Sequence, residues 1–214
     1  MRLLSLPLTA AVVLLGVWVA GGLISNDFET SLALTTVWFG VTGAAALLIA
    51  VRSRALRVPV MAGYLVTATV VGAYLGLATL RDRVVDEPVV TAAAAPAEPE
   101  SSTPDPAAEP RRRRMNVELA SAPFRSQEHE TSGTAAVVRL ADGRRFLTLT
   151  SFATSAGPDL RVRLERGGDA LDLGALKGNR GDQQYELPAR ATIGGATVVI
   201  WCRAFSVPFG SASL

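Results

Sequence analysis

The sequence contains few of the residues that usually form redox or metal sites. Cys202 is the only cysteine among 214 residues, which excludes an intramolecular disulfide, so packing must hold any compact domain together. His129 is the only histidine and has no cysteine or second histidine at ligand spacing, so neither a zinc site nor bis-histidine haem ligation is predicted. A net charge of +2 is too small to indicate a nucleic-acid partner.

Charge is absent from three long apolar runs, at about 8–24, 32–51 and 59–80. Each run approaches the roughly 20 residues that a bilayer core of ~30 Å requires, which predicts three antiparallel transmembrane helices within residues 1–85. Without an ionisable side chain inside a span, a proton relay or an ion pathway is excluded, so the helices are predicted to act as an anchor in the lipid bilayer.

The first run admits a second interpretation as a cleaved signal peptide rather than a signal anchor. Arg2 precedes the apolar core, and the small residues Ala20, Gly21 and Gly22 follow it. In both interpretations the second and third helices place the rest of the chain on the same side of the membrane.

The links between the runs carry opposite charge. Asp27 and Glu29 lie in the first link, whereas Arg52, Arg54 and Arg57 lie in the second. Because positive loops stay in the cytoplasm, the N-terminus and the arginine link are predicted to be cytoplasmic, and everything after Leu80 outside. The predicted location is therefore the cytoplasmic membrane, multi-pass, with an extracytoplasmic C-terminal domain. Arginine supplies nearly all the positive charge, which suggests a GC-rich bacterial genome and so a bacterial cell envelope.

Residues 86–124 are predicted to be a disordered linker rich in Pro, Ala and Glu, long enough to hold the domain away from the membrane. Four consecutive arginines, residues 111–114, lie within it. These arginines are suited to bind anionic lipid head groups or anionic wall polymers. Alternatively, they form a solvated charge run that balances the negative charge of the acidic residues upstream.

Residues 125–214 show short strand patterns separated by turn residues, as in a β domain. Residues 134–140 and 145–152 flank Asp142-Gly143, a pair typical of tight hairpin turns, and residues 160–165 alternate between apolar and polar. Six or seven short strands without an amphipathic helix predict an antiparallel β sandwich or barrel. Its length of about 90 residues is near the lower limit for a domain without disulfides.

Residues 197–205 are predicted to form the central strand, since they are β-branched or aromatic and free of Gly and Pro. Alternation assigns Val198, Ile200, Cys202 and Ala204 to an uncharged face and hence to the core. It assigns Val199, Trp201, Arg203 and Phe205 to the other face.

The sequence lacks a catalytic constellation. The serines have no suitable histidine partner, the aspartates lack calcium-loop spacing, and no glycine-rich phosphate loop precedes a helix. We therefore expect no catalytic residue, no metal ligand and no enzyme activity by the chain alone.

Several features of the last third occur together, in an order that resembles the DM-thirteen domain. They are Ser132-Gly133, Phe152, Gly157-Pro158-Asp159-Leu160, Leu176-Lys177-Gly178, Gly181, Gln184-Tyr185, Trp201-Cys202, Phe205 and Phe209-Gly210. The resemblance covers about residues 130–214. Since the family is labelled as an electron-transfer domain, it implies Cys202 as the redox residue, with haem or metal supplied only by a partner.

Two functional hypotheses follow. In the first, Cys202 takes part in electron transfer or thiol redox with a partner protein, although a cysteine in an apolar row is commonly a small core residue. In the second, the domain is a non-catalytic module that binds wall polymer, carbohydrate or protein through its loops. The residues predicted to form those loops are Gly157, Pro158, Asp159, Lys177, Gly181, Gln184 and Tyr185.

Overall fold

A computed structural model of the chain describes residues 2–25, 27–92 and 115–214. Three long helices come first: α1 (Arg2–Gly22), α2 (Phe28–Arg52) and α3 (Arg57–Leu80). All three are long and apolar enough to cross a membrane, which confirms the predicted helices. The helices α2 and α3 begin a few residues before the predicted spans, whereas α1 both begins and ends earlier than predicted. The Asp27 carboxylate begins α2 by accepting a hydrogen bond from the Thr30 amide (2.7 Å).

The helices pack against one another in an up-down-up arrangement. Trp38 Nε1 donates to the Val13 carbonyl (3.3 Å), and the Tyr64 hydroxyl donates to the Phe39 carbonyl (2.8 Å), so α2 contacts both of its neighbours. The α2–α3 turn, which holds the arginine link, lies at the same end as the start of α1. The β domain follows α3 at the opposite end.

The described residues include nine strands in two antiparallel sheets. They are β1 (Val117–Pro123), β2 (Arg125–Ser126), β3 (Thr131–Arg139), β4 (Arg145–Thr154), β5 (Leu160–Arg166), β6 (Asp169–Ala175), β7 (Gln183–Leu187), β8 (Thr197–Cys202) and β9 (Val207–Ser213). One sheet has the order β1-β3-β4-β7 and the other β2-β9-β8-β5-β6. The arrangement is an open sandwich rather than a closed barrel, which decides between the two predicted architectures.

The core lies between the sheets and follows the predicted alternation. Leu160, Val162 and Leu164 of β5 are buried, as are Val198, Ile200 and Cys202 of the central strand β8. The Asp142-Gly143 turn joins β3 to β4, whose register pairs Arg139 with Arg145. Gly143 adopts a left-handed φ of 92°, which explains glycine at this position.

The strand β8 ends at Cys202, earlier than the predicted 205. A turn follows in which Ser206 has a φ of 54°, so the alternation stops. The side chain of Phe205, assigned from the pattern to the outer face, is instead buried at 3 % exposure.

Both ends of the range predicted as linker contact the β domain. Residues 86–92 lie along the loop before β7, and β1 pairs with β3 from Val117 onward, before the expected domain start at 125. Thr91 and Asn116 are neighbours, since Asn116 Nδ2 donates to the Thr91 carbonyl (3.2 Å). The described residues on either side of residues 93–114 are therefore neighbours on the β domain. The four arginines at 111–114 lie outside the described residues.

Candidate functional site

Cys202, the predicted redox residue, lies inside the sandwich. Its side chain has 0 % exposure, and the thiol donates to the Pro158 carbonyl at a sulfur–oxygen distance of 3.1 Å. Burial raises the pKa of the Cys202 thiol from 9.0 to about 11, although the Phe205 and Ala204 amides favour the thiolate. A reactive thiol needs access and thiolate character, and the folded domain offers neither.

The loop Gly157–Asp159 covers the sulfur. Its close packing requires glycine, because a Cβ on Gly157 would lie 2.8 Å from the Phe209 ring. Asp159 has a left-handed φ of 57°, and its carboxylate lies 2.6 Å from Arg203 Nε and 3.8 Å from Arg161 Nη1. Pro158 is buried, so Asp159 is the polar group that this loop presents at the surface.

Buried polar side chains shape the loop around Lys177. Gln183, with 0 % exposure, donates from Nε2 to the Gly178 carbonyl (2.8 Å) and accepts through Oε1 from the Tyr185 hydroxyl (2.8 Å). The Tyr185 hydroxyl accepts in turn from the Lys177 amide (3.0 Å), and burial raises the pKa of Tyr185 to about 12. Tyr185 is therefore a structural residue, not a surface contact for a ligand.

The same loop binds the segment that leaves α3, which we call the connector (residues 81–92). Lys177 Nζ lies 2.7 Å from Glu87 Oε2 and donates to the Gln184 carbonyl (2.8 Å). The hydrogen bond from Lys177 holds the pKa of Glu87 below its usual value. Gln184 Oε1 accepts from the Val90 amide (3.0 Å), so the predicted binding groups of Lys177 and Gln184 are occupied by the chain itself.

Backbone pairing fixes the connector further. The Val85 amide donates to the Arg180 carbonyl (2.9 Å), and the Glu87 amide donates to the Asp182 carbonyl (2.9 Å). Gly181 has a φ of 95°, and a Cβ there would overlap the Val85 carbonyl oxygen. Gly181 is thus required for the close approach of two backbones rather than for an external ligand.

A second contact joins the β domain to the start of α2. The ring of Phe28 lies 4.6 Å from that of His129 and 5.2 Å from that of Phe205, both edge-on. The His129 ring also contacts the Phe209 ring, tilted by 39° with the ring centroids 3.8 Å apart, and burial lowers the pKa of His129. The single histidine therefore belongs to an aromatic contact between helix and sandwich.

A cavity of about 620 Å³ separates the end of α3 from the β domain. Tyr74, Leu77 and Ala78 line it from the helix, and Arg81, Asp82 and Arg83 line it from the connector. The β domain contributes the loop around Gly157, together with Leu160, Leu176 and Asn179. Because Pro158 also accepts the Cys202 hydrogen bond, the loop that borders this cavity shields the thiol.

The structure brings some predicted site residues together and separates others. One group lies beside the cavity and consists of Cys202, Pro158 and Asp159. A second group contacts the connector and consists of Lys177, Gly181 and Gln184. Glu87 and Asn179 were missed, because their partners are more than 85 residues away in the chain. Among the described residues, no three His, Cys, Asp or Glu side chains are grouped to hold a metal ion.

Together these elements define a class: an antiparallel β sandwich fixed to the end of three helices suited to a membrane. Residues 123–214 match the family model described as "Electron transfer DM13", which confirms the predicted resemblance of the β domain to that family. The match covers the sandwich from the end of β1 onward and none of the helices. No curated protein and no solved structure matches the chain.

Proposed function

We propose that the protein is a membrane-anchored DM13 module on the extracytoplasmic face, and that it acts by binding at the membrane surface rather than by thiol chemistry. The observation that carries this proposal is the cavity between α3 and the Gly157–Asp159 loop, with Cys202 sealed behind that loop. The proposal keeps the binding role predicted for Gly157–Asp159. It drops that role for Lys177 and Gln184, whose polar groups already bind the connector.

The sidedness in this proposal rests on charge. The arginine link and the start of α1 lie at one end of the bundle, and the β domain follows α3 at the other. Since positive loops are retained in the cytoplasm, this charge distribution supports an extracytoplasmic β domain.

Single cysteines introduced into a Cys202→Ala background test the sidedness. Asp142→Cys, in the exposed β3–β4 turn, should react with a membrane-impermeant maleimide in intact cells. Ala55→Cys, in the arginine link, should react only in inverted vesicles. The reverse pattern would overturn the extracytoplasmic placement.

A second candidate function is electron transfer through Cys202, which the description of the family favours. The Cys202 thiol donates to the carbonyl of Pro158, which lies in the chain between the cavity-lining residues Gly157 and Asp159. A redox partner carrying haem or metal would then have to meet the domain at this end, and the loop would have to open.

Thiol labelling separates the two candidates. We expect iodoacetamide to leave Cys202 unmodified in the native protein and to modify it fully after denaturation, because the sulfur is buried. Rapid labelling under native conditions, or loss of cellular function in Cys202→Ser at unchanged thermal stability, would favour the redox candidate. A cysteine placed at exposed Asp142 serves as the positive control for labelling.

A further inference from the structure

The cavity at the end of α3 has an apolar side and a polar side. Tyr74, Leu77 and Ala78 supply the apolar wall from the last turns of the helix, and Leu160 and Leu176 face them from the β domain. Arg81 and Arg83 lie on the connector immediately beyond the helix. A ligand that fills both sides must be amphiphilic.

The position of the cavity along α3 places it at the membrane surface. The helix has 24 residues, and at ~1.5 Å per residue it is about 36 Å long, longer than a hydrocarbon core of ~30 Å. Tyr74 precedes the helix end by about 9 Å, and tyrosine is enriched at the interface between lipid tails and headgroups. The apolar wall therefore borders lipid tails, and the arginines lie at headgroup level.

The charges around the cavity favour an anion. Its two acids are already paired, Asp82 with Arg180 at 3.4 Å and Asp159 with Arg203 at 2.6 Å. In contrast, within the described residues neither the Arg81 nor the Arg83 side chain makes a hydrogen bond or ion pair. Two exposed, unpaired guanidinium groups remain, and guanidinium suits phosphate because it donates in a planar fork.

We propose that this cavity binds a membrane lipid with an anionic phosphate headgroup. The phosphate pairs with Arg81 and Arg83, and the acyl chains continue past Leu77 and Tyr74 into the bilayer. The proposal rests on the proposed binding function and specifies its ligand class. The lipid would fasten the β domain to the membrane surface beside α3.

The experiment uses the full chain in phosphatidylcholine nanodiscs doped with phosphatidylglycerol, and native mass spectrometry counts the phosphatidylglycerol retained by the protein. We expect Arg81→Gln/Arg83→Gln to lower the apparent affinity by more than about tenfold, because the loss of even one charge-assisted pair costs about that factor and the variant removes two. Ala78→Phe should produce a similar loss by filling the apolar wall without changing charge. Arg52→Gln/Arg54→Gln, the same charge change at the other end of the bundle, should change it less than twofold.

The outcomes are distinguishable. If Ala78→Phe binds like the wild type while the double arginine variant does not, surface charge alone attracts the lipid and the cavity proposal is wrong. If glycerol phosphate added to pure phosphatidylcholine discs binds as tightly as the lipid, the site takes a free phosphate instead. Unfolding midpoints of all variants exclude a folding defect, and maleimide labelling tests the placement of the domain independently of any lipid result.

Discussion

The buried thiol of Cys202 links a single residue to the stability of the whole sandwich. Its neighbours in the paired strands are Leu160 and Val207, and all three side chains are buried. Period-2 alternation was enough to predict this position from the sequence, because β8 stays extended up to Cys202 despite a register shift against β9 between Ile200 and Trp201. The same pattern was wrong for Phe205, since no periodicity shows where a strand ends in a turn.

The raised pKa of Cys202 predicts a loss of stability at high pH. The folded domain keeps the thiol proton up to about pH 11, whereas the unfolded chain releases it near pH 9. Between these values the folded state binds more protons, so the free energy of unfolding falls as pH rises. Two pKa units correspond to about 3 kcal/mol for a fully buried group.

Unfolding midpoints from pH 8 to 11 check this expectation against Cys202→Ser, whose hydroxyl does not titrate in the range. Tyr185 titrates in both proteins, so the difference between their slopes isolates the thiol. Parallel slopes would show that Cys202 is not held in its neutral form by burial.

At the scale of elements, the helices and strands were predictable, whereas the connector was not. Apolar runs and alternation arise because whole faces of helices and strands are buried, and both patterns can be recognised in a single sequence. The connector is held by isolated polar pairs such as Lys177–Glu87 and by backbone bonds to Arg180 and Asp182, all distant in the chain. No local sequence pattern predicts such long-range pairs. The proline-rich composition of residues 86–124 instead suggested a disordered linker.

Gly181→Ala tests whether the connector is fixed by close backbone contact. A left-handed φ costs alanine about 1–2 kcal/mol at any exposed site, and at Gly181 the added methyl also displaces Val85. Gly143→Ala is the matched control, because Gly143 has a similar φ of 92° but nothing within 4 Å of a Cβ. We expect Gly181→Ala to lose about 1–3 kcal/mol more than the control, the cost of overpacking.

Limited proteolysis supplies a second measurement for the same pair of variants. Trypsin should cut at Arg83 faster in Gly181→Ala than in Gly143→Ala or the wild type, because the connector is released. Equal cutting rates and equal stabilities would contradict a clamped connector.

At the scale of the whole molecule, the chain is organised as a bundle with a sandwich held directly at its end. Phe28 of α2 contacts His129 and Phe205, Ser206 Oγ donates to the Gly22 carbonyl of α1 (2.9 Å), and the connector continues from α3. All three helices therefore meet the domain at one end. The prediction of a tether that holds the domain away from the membrane assumed that residues 86–124 alone join the two parts.

Removing residues 93–114 separates these two arrangements. The ends of this segment are already close, since Asn116 Nδ2 lies 3.2 Å from the Thr91 carbonyl oxygen, so a short Gly-Ser connection can replace it. We expect the shortened chain to fold with the same domain–helix contacts. Its stability should be unchanged or raised by about 1 kcal/mol, because closing a shorter loop costs less entropy.

The readout that distinguishes a loop from a tether is the contact between the domain and the helices. A cysteine pair at Gly22 and Ser206, introduced with Cys202→Ala, should form a disulfide on mild oxidation in both the full and the shortened chain, since Ser206 Oγ reaches the Gly22 carbonyl at 2.9 Å. A pair at Gly22 and exposed Asp142 serves as the negative control for random collision. If the Gly22–Ser206 disulfide formed only in the shortened chain, residues 93–114 would control the distance between domain and membrane. Equal yields in both chains would instead assign that control to α1, α2 and the connector, which hold the domain against the bundle whatever the length of the loop.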